Sequence, residues 1–169
     1  ASKILSIFDI TPSRPSFYTT SLGYADSPYY SETLNLKFLE DIKNIFCDDK
    51  WIIFWKPKRV VGNYFISDTF KRKQSKLIGG NLIKVDSVIA ASSLVESSDA
   101  VISMPFSSPS VIAKFKDVPC TFYDASGKVR NQNSHGIPLL RSIKELKEWF
   151  DSLGPNRTLD INDNKFANI

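Results

Sequence analysis

The chain has 169 residues, 42% of them hydrophobic and 24% charged, which is enough for one domain with a full core and ordinary for a soluble globular protein. No apolar run reaches transmembrane length, the first residues lack the layout of a secretory signal, and two cysteines (Cys47, Cys120) with one histidine (His135) exclude a disulfide framework and a His-rich metal site. The net charge of +4 admits an anionic ligand, an anionic membrane surface or nucleic acid without choosing among them.

Residues 3–9 (KILSIFD) read as a strand, β-branched and aromatic with Asp9 at its exit. A strand this near the first residue is expected of a segment cut from a longer chain. Residues 10–30 form a long loop carrying Pro12, Arg14, Pro15, Gly23 and Pro28 among several tyrosines; loops of this length inside a domain are often functional. Ser31 caps a helix to about Phe46, with Leu34, Phe38, Ile42, Ile45 and Phe46 on one face. Residues 51–55 (WIIFW) are apolar throughout, as in a strand buried on both sides of a parallel sheet, and Lys56-Pro57-Lys58-Arg59 follows.

Ser67, then Phe70 and Leu77, predicts a basic helix. Its run from Lys71 to Lys76 suits a solvated face better than nucleic-acid binding. Residues 82–85 predict a short strand ending at Asp86, and Ser87 begins a helix that buries Val88, Ile89 and Leu94 and ends near Glu96. The run Ala100-Val101-Ile102 is a buried strand by length, leading into Ser103-Met104-Pro105-Phe106-Ser107-Ser108-Pro109. Beyond it Val111, Ile112 and Phe115 recur at helical spacing, so Ser107 or Ser108 stands at an N-cap. Strand, hydroxyl-rich loop and helix N-terminus in that order make an anion-binding corner; strand termination with simple capping is the competing account. Residues 119–123 (PCTFY) form another strand, ending at Asp124, and residues 125–138 a loop. Ser142-Ile143-Lys144-Glu145 is a capping box, and Gly154-Pro155 stops the last helix.

Alternating strands and helices predict an α/β, Rossmann-like, doubly wound domain. Its sheet is mainly parallel, with about five strands and helices on both faces. Residues 1–155 are read as this single domain, and residues 156–169 as a polar tail or a connection to something missing. Ligands of such sheets bind outside the carboxyl ends of the strands. This chain places Asp9, Thr11 and Arg14 there, then Lys56, Lys58 and Arg59, then Asp86, then Ser103, Ser107 and Ser108, then Asp124. Cations at one exit and serines at another suit a phosphate-bearing ligand, a nucleotide or phosphosugar.

The motifs that would direct this site elsewhere are missing. There is no Gly-x-Gly-x-x-Gly after the first strand, no Walker-type loop and no Gly-x-Ser-x-Gly elbow. A response regulator would need a pair of acids at the first exit, where this chain has Asp9 alone.

Lys56-Pro57-Lys58-Arg59 after an apolar strand, the segment from Asp99 through Ser107-Ser108-Pro109, and Tyr123-Asp124 together resemble the C-terminal, donor-binding half of a GT-B glycosyltransferase of bacterial surface-polysaccharide biosynthesis (capsule or lipopolysaccharide). The likeness, over residues 52–123, is to the sialyltransferase and Kdo-transferase groups that use CMP-activated sugars. It implies that Lys56 and Pro57 match a basic-Pro motif and Ser107 and Ser108 a Ser-Ser motif, the two holding the donor nucleotide with Lys58, Arg59 and Ser103. The usual first motif is His-Pro, so Lys-Pro leaves the nucleotide's identity open. Asp9, Thr11, Arg14, Asp86 and Asp124 are further donor-site candidates. The chain contains no Asp-x-Asp, so the resemblance implies a metal-independent enzyme without cofactor, in which helix-end N–H groups, hydroxyls and cations stabilise the leaving phosphate. It also implies a glycan acceptor, a second lobe carrying the catalytic base, no nucleic-acid partner, and a cytoplasmic location with peripheral contact to the inner membrane left open. The alternative is a noncatalytic nucleotide- or anion-binding module of the same fold.

Overall fold

The computed structural model describes residues 2–13, 31–48, 50–58, 66–130 and 134–154. Arg14, Arg59, most of the 10–30 loop and residues 155–169 lie outside the described residues. Among the described ones, strands β1 (Lys3–Phe8), β2 (Trp51–Lys56), β3 (Leu82–Lys84), β4 (Ala100–Ser103), β5 (Cys120–Tyr123) and β6 (Leu139–Leu140) form one sheet. It runs in the order β3-β2-β1-β4-β5-β6, and every pairing is parallel. The α/β, Rossmann-like expectation holds, with six strands in place of about five. Leu139-Leu140 escapes a sequence reading because two residues carry no period.

The helices among the described residues are α1 (Glu32–Ile45), α2 (Asp68–Leu77), α3 (Ala91–Glu96), α4 (Ser108–Phe115) and α5 (Ile143–Ser152). Leu5, Ile7, Ile53, Trp55, Ala100, Ile102 and Tyr123 pack on one face of the sheet with Leu34, Phe38, Leu39 and Ile42 of α1 and Leu146 of α5. The opposite face sets Phe8 and Val101 against Leu94 and Val95 of α3 and Ala113 of α4. This alternation is the period-two consequence of the pleat. β2 departs from expectation in one respect: Trp51, Ile53 and Trp55 are buried, while Ile52 and Phe54 on the other face are only half-covered.

The caps expected at Ser31, Ser67 and Ser142 form. Their hydroxyls accept from the N–H groups of Leu34, Phe70 and Glu145. Ser67 is held as well by Glu32, whose carboxylate accepts its N–H at 2.5 Å and its hydroxyl at 2.7 Å, tying the start of α2 to the start of α1. At Ser142 the box is shifted by one residue, because Glu145 accepts from the N–H of Arg141.

Two helix expectations are corrected. Ser87 does not open a helix. Asp86 takes the N–H of Val88 on its side chain at 3.0 Å and that of Ile89 on its carbonyl at 3.2 Å. This turn competes with helix initiation and delays α3 to Ala91, leaving Val88 86% exposed and Ile89 exposed. In α4 the buried side is Pro109, Ser110 and Ala113, whereas Val111 and Ile112 are half-covered and Phe115 is 86% exposed. A serine inside an apolar contact face hides the helical stripe, and Ser110 is there because its hydroxyl has partners.

Candidate functional site

Parallel pairing brings the exits of all six strands to one edge. β1 lies between β2 and β4, so the Lys-Pro-Lys turn and the Ser-Ser corner flank the exit of β1 from its two sides. Asp9 is the hub of that exit. Its carboxylate is 3% exposed as a residue and accepts three hydrogen bonds, from Asn35 Nδ2 at 2.9 Å, Trp55 Nε1 at 3.1 Å and the Lys58 N–H at 2.9 Å. Burial pushes the carboxyl above its ordinary value, opposed by the donors from Asn35, Lys58 and Trp55 and by the charge of Lys84. Asp9 thus positions the turn after β2.

The two lysines of that turn part company. Lys56 belongs to the strand, is 9% exposed, and its Nζ donates to the carbonyl of Ser87 at 3.1 Å, bracing the loop after β3. Lys58 has an exposed side chain while its N–H is fixed on Asp9. Of the two, Lys58 is the one whose side chain reaches solvent at this edge.

The corner after β4 divides in the same way. Ser103 and Ser110 are fully buried and share a hydrogen bond. Ser110 Oγ also donates to the carbonyl of Thr121 at 3.1 Å, which leaves Ser103 as the donor between the two hydroxyls. Ser103 therefore ties β4 to α4 and does not face the edge. Ser107 occupies the cap position, yet its hydroxyl donates to the carbonyl of Met104 at 2.9 Å and makes no cap bond. Ser108 is the first helical residue and is exposed. No side chain caps α4, so its first-turn N–H groups, less the one that Pro109 lacks, are orphan donors at the edge. Met104 bridges this corner to β1: its N–H bonds the carbonyl of Phe8 at 3.0 Å, and its sulfur accepts from the N–H of Ile10 at 3.3 Å. The Pro105–Phe106 peptide bond between Met104 and Ser107 is cis.

Asp124 is buried and closes its own loop, accepting from the N–H and hydroxyl of Ser126 and the N–H of Val129. Asp86 is exposed beside the turn described above. Thr11 and Pro57 line a cavity of about 420 Å³ at the exits of β1, β2 and β3. Its wall includes Asp9, Trp55 and Asp86, together with residues that sequence reasoning missed as site residues: Ile66, Phe70 and Gln74 from α2 and its approach, and Lys84, Val85 and Ser87 from β3 and its exit. Only the alternation along Leu82-Ile83-Lys84, which puts Lys84 on the Trp55 side of the sheet, signals any of this in the sequence.

Among the described residues no helix is long and apolar enough to cross a membrane. A family model described as "Polysaccharide biosynthesis PFTS motif protein" matches residues 1–150. No curated protein matches the chain.

Proposed function

The chain belongs to the polysaccharide biosynthesis PFTS motif family, and from that premise we propose that it is the donor-binding lobe of a glycosyltransferase that uses a nucleotide-activated sugar. The observation that carries the reading is the pairing of an exposed cation, Lys58, with the uncapped first turn of α4 on either side of the β1 exit. A sugar nucleotide builds up charge on its leaving phosphate as the glycosidic bond breaks. An ammonium on a fixed turn and oriented N–H groups stabilise that charge most where it grows. The segment Pro105-Phe106-Ser107-Ser108 agrees with the letters of the family's motif at three positions and keeps a hydroxyl at the remaining one.

In this reading Lys58 and Ser108 meet the donor phosphate, Pro57 and Asp9 hold the turn, and Ser103 and Ser107 shape the corner from behind. Lys56 supports the loop after β3. The resemblance to CMP-sugar transferases favours CMP as the nucleotide, and the chemistry assigned to these residues involves no metal. The glycan acceptor, the catalytic base and a second lobe are assigned outside this chain.

Calorimetric titration with CMP, UDP, GDP and ADP tests the proposal. One nucleotide, CMP by preference, binds, and Lys58→Ala and Ser108→Ala each weaken it. Absence of binding by all four, or binding indifferent to both substitutions, overturns it.

A further inference from the structure

The cavity at the β1–β3 exits is chemically unlike the phosphate corner. Two carboxyl groups, Asp9 and Asp86, stand on its wall against one ammonium, Lys84, and Lys84 Nζ lies 5.2 Å from the centre of the Trp55 ring. Lys56 is engaged with Ser87, and Lys58, next to Pro57, has its side chain in solvent. Among the described residues no excess of positive charge faces the space, which makes their arrangement a poor phosphate site. Nor does it offer a stacking platform for a nucleobase. Trp55 and Phe70 are 1% and 2% exposed, and the cation sits over the indole. What remains is an apolar floor whose accessible part is the half-buried Pro57 and Val85, with hydrogen-bonding groups around its rim: the Asp86 carboxylate, the Gln74 amide and the Ser87 hydroxyl. Thr11 on the same wall has a buried hydroxyl without a hydrogen-bond partner, a polar requirement that a ligand group would meet. About 420 Å³ falls within the ~300–1,000 Å³ typical of small-molecule sites.

We propose that this cavity, formed where the β1, β2 and β3 exits meet α2, binds an uncharged pyranose ring, with sugar hydroxyls on Asp86, Gln74 and Ser87 and the ring's C–H face on the apolar floor. Hydroxyl-to-carboxylate hydrogen bonds are the stronger, charge-assisted kind, and a neutral polyol leaves no buried charge unpaired. The ring is either the glycosyl group of the donor or a unit of the acceptor glycan. The proposal rests on the glycosyltransferase reading for its biological sense but not for its geometry. Pro57 lines the cavity while Lys58, the next residue, carries the phosphate-facing cation.

Saturation-transfer NMR on the whole chain with methyl glycosides of neutral hexoses and N-acetylhexosamines tests it. At least one glycoside binds. Asp86→Asn, which retains Oδ1 for the turn to Val88, and Gln74→Ala each weaken it by about threefold to tenfold, the scale of one hydrogen bond. No glycoside binding at tens of millimolar, or binding untouched by both substitutions, overturns the proposal. If the same substitutions weaken a nucleotide sugar but not its bare nucleotide, the ring is the donor's; if they weaken only the glycoside, it is the acceptor's. A chain that binds glycosides and no nucleotide sinks the donor reading and leaves the pyranose site standing.

Discussion

The carboxylate of Asp9 accepts the backbone N–H of Lys58 at 2.9 Å, so the first strand's exit sets the course of the turn after the second. The same carboxylate holds Trp55 Nε1 and Asn35 Nδ2. One side chain thereby fastens β1, β2 and α1 at the edge where the ligand is expected.

Asp9→Ala takes the carboxylate from three buried or half-buried donors, of which only Asn35 Nδ2 has a second acceptor, the Ile10 carbonyl at 3.5 Å. Each such loss costs on the order of 1 kcal/mol or more, so urea denaturation is expected to show a loss of about 2–4 kcal/mol. A loss below half a kilocalorie would mean that water replaces the carboxylate, and the hub role would go.

Asp9 also gives a pH signature. An aspartate ordinarily titrates near 3.8, and burial raises this one in the folded state. Between the unfolded and folded values the folded chain binds the proton and the unfolded chain does not, so stability falls as pH rises through that window. The contribution is whole below about 3.8 and is withdrawn on passing the folded value. Asp9→Asn cannot titrate. The difference in unfolding free energy between wild type and Asp9→Asn should therefore shift in the mutant's favour as pH rises over this range, then level off. A difference that moves the opposite way would place the folded value below the ordinary one.

Much of the edge was legible from the chain alone, because its signals are local. Ser31, Ser67 and Ser142 each precede a run whose apolar spacing names the helix, and the alternation of runs names the parallel sheet. What was not legible depends on partners far away in sequence. Nothing near Ser103 shows that its hydroxyl meets Ser110 and is buried, and nothing near Lys56 shows that it reaches the Ser87 carbonyl. The cavity is the extreme case. Thr11, Trp55, Phe70 and Asp86 come from four separate stretches, and only the register of β1, β2 and β3 brings them together.

The thiols differ in setting. Cys47 is exposed, whereas Cys120 is half-buried and its thiol is pushed up by burial, with the nearby charge of Lys114 opposing. The thiolate is the reactive form. Iodoacetamide near pH 8 should therefore label Cys47 well before Cys120, as followed by intact mass and peptide mapping. Equal rates would contradict the burial of Cys120.

The serines should separate by role. Ser103→Ala breaks the buried bond to Ser110 and should cost about 1–2 kcal/mol of stability with little effect on nucleotide affinity in the folded protein. Ser108→Ala changes an exposed first-turn hydroxyl that caps nothing, so stability should stay within about 0.5 kcal/mol while nucleotide affinity falls. The reverse pattern would make Ser103 the ligand-facing residue and require a different corner.

The lysines of the turn carry the sharpest test, since the sequence makes them look alike. Read from the sequence, both belong to one basic turn placed against the donor nucleotide. The structure sets them apart: Lys56 is 9% exposed and donates to the carbonyl of Ser87. Lys56→Ala should therefore lower stability by about 1–2 kcal/mol and loosen the loop that carries Asp86 and Ser87. Lys58 has its N–H fixed on Asp9 and its side chain in solvent, so Lys58→Ala keeps the turn and deletes only the charge. Stability should hold, nucleotide affinity should drop, and the remaining affinity should depend less on salt, because an exposed ammonium acting on a phosphate is screened over about a Debye length. Measuring nucleotide affinity between low and physiological salt in both mutants decides it. An unchanged salt slope in Lys58→Ala would show that this ammonium never faces the phosphate and would move the donor site away from the turn.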